Sequence, residues 1–185
     1  MPKPSRRLSR ADIIRALTRL GELCAKQHSR IEIALYGGTV MMLAYDCRET
    51  TKDIDAIFQP PEIVEPLIKQ VAREQNLPED WMNNGVGAFV ARRETRIAFS
   101  QLQIPGLVIT RPSAQYLLAM KCRAGRLPSP FRAGDLADIK FLLRELSIRS
   151  MAEVDGIAAE YYGPAALEPG NRWLVEKLLQ EVRHG

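Results

Sequence analysis

An α+β fold is what this sequence predicts: a small mixed β-sheet between about residues 31 and 110, flanked by helices and followed by a helical tail. Three observations carry that expectation. Apolar residues alternate with period two in Ile31–Tyr36 and again in Asp53–Phe58. They recur at helical spacing before the first of these segments and in the stretch between them and the middle of the chain. From Pro112 onward the helical period is continuous, which divides the chain into a core with an N-terminal helix (1–112) and a helical region (113–185) packed on it.

Each element has a local cause. Ser9-Arg10-Ala11-Asp12 has the form of a capping box, with Asp in the fourth place, and Ile13, Ile14, Leu17, Leu20 and Leu23 follow on one face, so a helix runs from about 10 to 27. Ile31, Ile33 and Leu35 alternate with Glu32, Ala34 and Tyr36, as in a strand with one buried face. Gly37-Gly38 interrupts it, and Thr39 to Tyr45 continues as a short apolar helix. Asp53 to Phe58 is a second strand, stopped by Pro60-Pro61, and proline in a first helical turn starts the next helix, carried by Ile63, Leu67, Ile68 and Val71 to about Glu74. Val86–Arg92, Arg96–Gln103 and Leu107–Thr110 read as short strands around turns at Arg93-Glu94 and Pro105-Gly106. In the helical region, Leu117, Leu118, Met120 and Cys122 define one helix and Gly134-Asp135 opens another. Ser150 caps a third, and Asn171 to Val182 is amphipathic.

Composition narrows the classes. Hydrophobic residues make up 46% and charged residues 26%, an ordinary globular balance, and 185 residues suffice to bury a core without a disulfide or metal staple. Cys24, Cys47 and Cys122 are odd in number, lack CxxC spacing and sit among apolar neighbours, which fits reduced thiols in a cytoplasmic protein. Two histidines, His28 and His184, are a poor basis for an imidazole metal site or a Ser-His-Asp triad. The basic N-terminus lacks an apolar signal segment and no apolar run reaches membrane-spanning length, so neither secretion nor a membrane is expected. The net charge of +4 is unevenly placed: residues 1–30 hold eight Lys/Arg against Asp12 and Glu22, and residues 121–149 hold seven against Asp135, Asp138 and Glu145. Such stretches either attract a polyanion or are solvated helix faces with a basic tail.

The chemistry concentrates in Tyr36-Gly37-Gly38-Thr39, Arg48, Thr51 and Asp53-Ile54-Asp55. On a strand, residues i and i+2 share a face about 6.6 Å apart, so Asp53 and Asp55 can converge on hard divalent cations, Mg2+ or Mn2+. A strand–Gly-Gly–helix turn exposes backbone N–H groups at a helix start, where a polyphosphate can approach closely, and Thr39 adds a hydroxyl donor. A cradle for a triphosphate beside cations that neutralise developing charge is what nucleotidyl transfer requires.

GGT followed by R-x-x-T-x-DID resembles the first motif of nucleotidyltransferase-fold proteins, in the branch that contains the AbiEii-type toxins, and the resemblance is closer still to an uncharacterised bacterial nucleotidyltransferase-like family in that branch. The resemblance extends over about residues 10–183 and includes Leu77–Phe89, Leu117–Arg126 and Asp135–Ile148, with a less specific tail. It implies a nucleotidyltransferase fold, Gly37, Gly38 and Thr39 at the triphosphate, and Asp53 and Asp55 as metal ligands. Arg48 and Thr51 complete the nucleotide-binding set. A later lysine and a later aspartate matter in the toxin relatives, and Lys121 and Asp138, with Asp135 as the second choice, fall on the matching positions.

Those later residues also have a reading of their own. Lys121 interrupts an apolar helix, so it either snorkels to solvent or faces a cleft where it could hold a phosphate. Asp135 and Asp138 lie on one side of their helix; Asp135 reads as a helix cap, and Asp138, in the first turn, as a general base or a lysine-orienting group. Polymerase-like relatives place a third metal carboxylate on a neighbouring strand, whereas between Trp81 and Pro112 this chain has only Glu94, so the third acid either comes from Asp138 or is absent. Trp81 reads as a core or lid anchor, and Tyr161, Tyr162 and Trp173 as packing residues. The expected activity is Mg2+-dependent transfer of an NMP group from an NTP to a hydroxyl of RNA, tRNA or a protein side chain. The alternative is a catalytically degenerate binding or regulatory module, such as one half of a toxin–antitoxin pair with a cognate partner protein.

Overall fold

The structure, a computed structural model, describes residues 7–27, 30–124 and 133–184. Of the basic residues weighed above, Lys3, Arg6, Arg126 and Arg132 lie outside the described residues, as does His28. The chain folds as α+β, in two compact units: residues 1–88 with 96–111, and residues 89–95 with 112–185.

The first unit opens with β1 (Leu8–Ser9) and α1 (Arg10–Ala25). The capping box forms: the Ser9 hydroxyl accepts from the Asp12 N–H and the Asp12 carboxylate accepts from the Ser9 N–H at 3.0 Å. Such a cap stabilises a helix by about 0.5–2 kcal/mol. Ile13, Leu17 and Leu20 are fully buried along one stripe. β2 (Ile31–Leu35) leads into α2 (Gly37–Tyr45), then β3 (Thr50–Thr51), β4 (Ile54–Gln59), α3 (Pro61–Gln75) and β5 (Met82–Asn83). After a 3-10 turn at Gly85–Phe89 come β6 (Arg96–Ala98) and β7 (Leu107–Pro112).

The main sheet has the order β5-β4-β2-β7-β6 and is mixed: β2 runs antiparallel to β4 and parallel to β7, and β4 runs parallel to β5. Ile33 pairs with Phe58 and Leu35 with Ala56, so these residues and Ile54 share one buried face. β2 is buried on both faces at its C-terminal end, Ala34 included, because it lies in the middle of the sheet. The expected single buried face holds only at Glu32. β1 pairs with β3 in a separate two-stranded ribbon, Leu8 opposite Thr51.

Three expectations are corrected in this unit. β4 starts at Ile54, and Asp53 sits in a bend just before it. Val86–Arg92 is no strand: Gly85 and Gly87 favour a tight turn, and the segment curls into the 3-10 helix. The strand expected over Arg96–Gln103 ends at Ala98.

The second unit contains α4 (Ala114–Ala124), α5 (Ala133–Glu145), α6 (Met151–Tyr162) and α7 (Pro169–His184). α4 packs against α5, α6 and α7. Ser150 caps α6 through the Glu153 N–H, as expected. Tyr116 is fully buried, its ring 4.6 Å from that of Tyr161, and its hydroxyl oxygen accepts from the Ala91 N–H at 2.8 Å. Asn171, 3% exposed, donates to the Arg123 carbonyl at the end of α4, so a side chain satisfies an acceptor the helix leaves open. Tyr161 and Tyr162 pack as expected, whereas Trp173 is 55% exposed with the Lys177 ammonium over its ring.

Candidate functional site

The site is built where β2 hands over to α2. Tyr36 is the N-cap of α2 and contributes no capping side chain, and Gly37 turns into the helix with φ +59°, a backbone conformation that glycine adopts without strain. The Tyr36 N–H donates to the Asp55 carbonyl at 2.8 Å, which fixes the turn to β4. The Asp55 side chain then lies against Gly37: a Cβ on residue 37 would stand 2.5 Å from Asp55 Oδ2. Gly38 is enclosed in the same way, with Thr51 Oγ1 at 2.8 Å and Arg48 Nη1 at 3.0 Å from where its Cβ would be. Both glycines are needed because the side chains of the motif fill the space beside them.

Asp53 is held by different means. Its carbonyl accepts from the buried hydroxyls of Thr51, at 3.1 Å, and Thr39, at 3.5 Å. These two threonines therefore shape the bend ahead of β4. On the Asp53 side chain, Oδ2 accepts from Asn83 Nδ2 at 3.3 Å and lies 3.9 Å from Lys52 Nζ. Asn83 is the register partner of Asp55 in the parallel pair β4–β5. Partners in register project to one face, so the Asn83 bond draws the Asp53 carboxylate towards the face of Asp55. The structure thus brings together Gly37, Gly38, Thr39, Arg48, Thr51, Asp53 and Asp55 in the first unit.

The two carboxylates offer hard oxygen donors of the kind Mg2+ or Mn2+ takes, with Asn83 beside them. Among the described residues no group of three or more His, Cys, Asp or Glu is placed to hold a metal, and a third acid does not join this pair. Asn83 falls in the Leu77–Phe89 stretch that carries the resemblance, with no role assigned to it from the sequence. The signal for it is the Asn-Asn-Gly run, since an Asn two residues before a glycine commonly bonds the backbone ahead, as the Gly85 N–H to Asn83 Oδ1 bond does here at 3.0 Å.

Lys121, Asp135 and Asp138 belong to the second unit. Lys121 does not snorkel to solvent: its ammonium is 2.6 Å from Asp138 Oδ2 and 3.4 Å from Asp135 Oδ1. With Lys121 9% and Asp138 1% exposed, this is a buried ion pair joining α4 to α5. The lysine-orienting reading of Asp138 fits this geometry. Asp138 lies beyond the first turn of α5, which begins at Ala133, and Asp135 is inside that turn, not at the cap. The i, i+3 spacing does put both acids on the lysine's side.

Among the described residues of the basic N-terminal stretch, four arginines have acidic partners. Arg10 pairs with Asp46, Arg15 with Asp12, Arg19 with Glu22 and Glu74, and Arg30 with Glu32. The Arg19 guanidinium, with Gln70, holds the Glu74 carboxyl down at about 2. Burial pushes the Cys24 thiol up to about 11 and the Cys122 thiol to about 12, so both are inert neutral groups in a packed interior. Trp81 is fully buried and donates from Nε1 to the Ile68 carbonyl at 3.0 Å, the core anchor of the two roles open to it. No helix of the described residues is long and apolar enough to cross a membrane.

No protein-family model, curated protein or solved structure matches this chain.

Proposed function

We propose that this protein has a nucleotidyltransferase fold and transfers an NMP group from an NTP to a hydroxyl acceptor. One observation carries the reading: the Asp55 carboxylate lies against Gly37 at the start of α2, with Asp53 drawn to the same face by Asn83. Acidic oxygens and the first N–H groups of a helix beside one another suit a ligand that is both metal-bound and polyanionic. In this reading Asp53 and Asp55 hold Mg2+ or Mn2+, which neutralises charge on the phosphates and lowers the acceptor's pKa. The N–H groups at Gly37, Gly38 and Thr39 bind phosphate oxygens, and the Arg48 guanidinium beside Gly38 balances their charge. Thr51 acts through the Asp53 backbone.

The reaction is an in-line displacement at the α-phosphorus. The acceptor oxygen forms a bond to that phosphorus, the bond from it to the α,β-bridging oxygen breaks, and pyrophosphate leaves with the electron pair. The acceptor's proton passes to solvent or to an adjacent carboxylate. The acceptor is a hydroxyl of RNA (tRNA included) or of a protein side chain.

Incubation with each labelled NTP, magnesium and either RNA or a protein extract tests this. Transfer of label, abolished in Asp53→Ala and Asp55→Asn, supports the reading and identifies the acceptor class; equal labelling by the variants refutes the assignment. A second reading, a binding module that keeps the fold and not the turnover, is favoured by one feature: Asp53 Oδ2 is already bonded to Asn83 with Lys52 nearby. It requires partner binding that survives both substitutions and no NTP affinity by calorimetry.

A further inference from the structure

We infer that Asn83 is a positioning residue for Asp53, and that its amide keeps the site at two carboxylates so that a divalent cation binds together with a triphosphate and not alone. The inference rests on the nucleotidyltransferase reading for the triphosphate, and on geometry alone for Asn83. Both ends of the Asn83 amide are committed: Nδ2 donates to Asp53 Oδ2 at 3.3 Å and Oδ1 accepts from the Gly85 N–H at 3.0 Å. These partners fix the amide's orientation, because a carboxylate oxygen takes only a donor and a backbone N–H only an acceptor. Asn83 therefore sets the direction of the Asp53 carboxylate through its donor end, while its own oxygen is turned to the Gly85 N–H and carries no charge.

The consequence follows from charge. Hard dications take six or more oxygen ligands and shed water reluctantly, and two carboxylates supply few of these. The Asp53 charge is also offset by the Asn83 N–H and by Lys52 at 3.9 Å. Non-bridging oxygens of a triphosphate complete the shell, so the metal–triphosphate complex is the species recognised. On Asp53, Oδ1 has no partner among the described residues, and is the oxygen this arrangement leaves for the cation.

Asn83→Asp separates these roles, because aspartate keeps an acceptor for the Gly85 N–H while turning the donor that faces Asp53 into a third anionic oxygen. Mn2+ is titrated calorimetrically into the full chain, and its effect on Tm is read in parallel. Wild type should bind Mn2+ at least tenfold more tightly in the presence of a non-hydrolysable NTP analogue than without it. Asn83→Asp should bind Mn2+ without nucleotide at least tenfold more tightly than wild type, and its Tm should rise with added Mn2+. Asn83→Ala, which frees Asp53 and adds no charge, should weaken Mn2+ binding in the presence of the analogue several-fold. If Asn83→Asp gains no Mn2+ affinity, or if wild type binds Mn2+ equally well with and without the analogue while nucleotide itself binds, the inference is overturned. If neither protein binds the analogue yet Asn83→Asp gains Mn2+, the placement of Asn83 holds and the nucleotidyltransferase reading is what fails.

Discussion

The Asp55 carboxylate occupies the space in which a side chain on residue 37 would begin, 2.5 Å from that position, and residue 37 has a left-handed backbone, φ +59°. Gly37→Ala is therefore penalised twice, by strain and by contact with Oδ2. It should destabilise by about 1–3 kcal/mol and displace Asp55, weakening any cation binding. Gly87→Ala, where an added Cβ meets nothing within 4 Å, is the control and should leave the denaturation midpoint near wild type. Equal midpoints for the two variants would show that the Gly37 turn tolerates a side chain.

The pair Lys121–Asp138 predicts an asymmetry between single and double substitutions. Asp138→Ala leaves a buried ammonium with only the half-exposed Asp135 to pair with, and should cost about 3–5 kcal/mol in urea denaturation. Lys121→Met combined with Asp138→Leu replaces the pair by apolar groups of similar size and should fall within about 1–2 kcal/mol of wild type. If the double variant keeps its fold and stability but loses label transfer, the pair also serves the chemistry.

The buried thiols set an alkaline limit. Their folded-state pKa values, about 11 for Cys24 and about 12 for Cys122, lie above those of an unfolded thiol. The stability from burying the neutral form is complete below the unfolded pKa. It is lost as pH rises through the folded values, because the unfolded chain releases its protons first. Thermal melts should show Tm falling above about pH 9, less steeply in Cys24→Ala/Cys122→Ala relative to its own neutral value. Under native conditions a thiol reagent should modify only the partly exposed Cys47, and all three cysteines after denaturation.

The two tryptophans report on the two units separately. Trp81 is fully buried and Trp173 is 55% exposed, so acrylamide should quench one population readily. Trp173→Phe should remove the quenchable, longer-wavelength emission and leave a blue-shifted, protected signal. Trp81→Phe leaves the Ile68 carbonyl without its indole donor and should cost about 1–3 kcal/mol in addition. An emission unchanged by Trp173→Phe would contradict the exposed position.

Much of the frame is legible in the residues themselves. Ser9 and Asp12 announce the start of α1, Pro61 that of α3 and Ser150 that of α6, because capping and proline chemistry are local. The grouping of Asp55 with the glycine pair is legible too, from a strand–turn–helix–strand order. What escapes is set at long range. β1, β3 and β5 are two residues each, too short for any period, and exist only through partners such as Thr51 for Leu8 or Ile54 for Met82. The bend at Asp53 depends on hydroxyls from Thr39 and Thr51, and the pairing of Lys121 on how α5 folds back along α4. Trp173 misleads because a helical apolar period does not say whether its stripe is covered.

The ribbon of Leu8–Ser9 with Thr50–Thr51 has a bearing on the glycine turn that its small size conceals. It works as a clasp: Leu8, 1% exposed, pins the stretch that brings Arg48 and Thr51 over Gly38, forty or more positions downstream. Damage to this short N-terminal hook would loosen the roof of the turn and leave its floor, Asp55 against Gly37, intact.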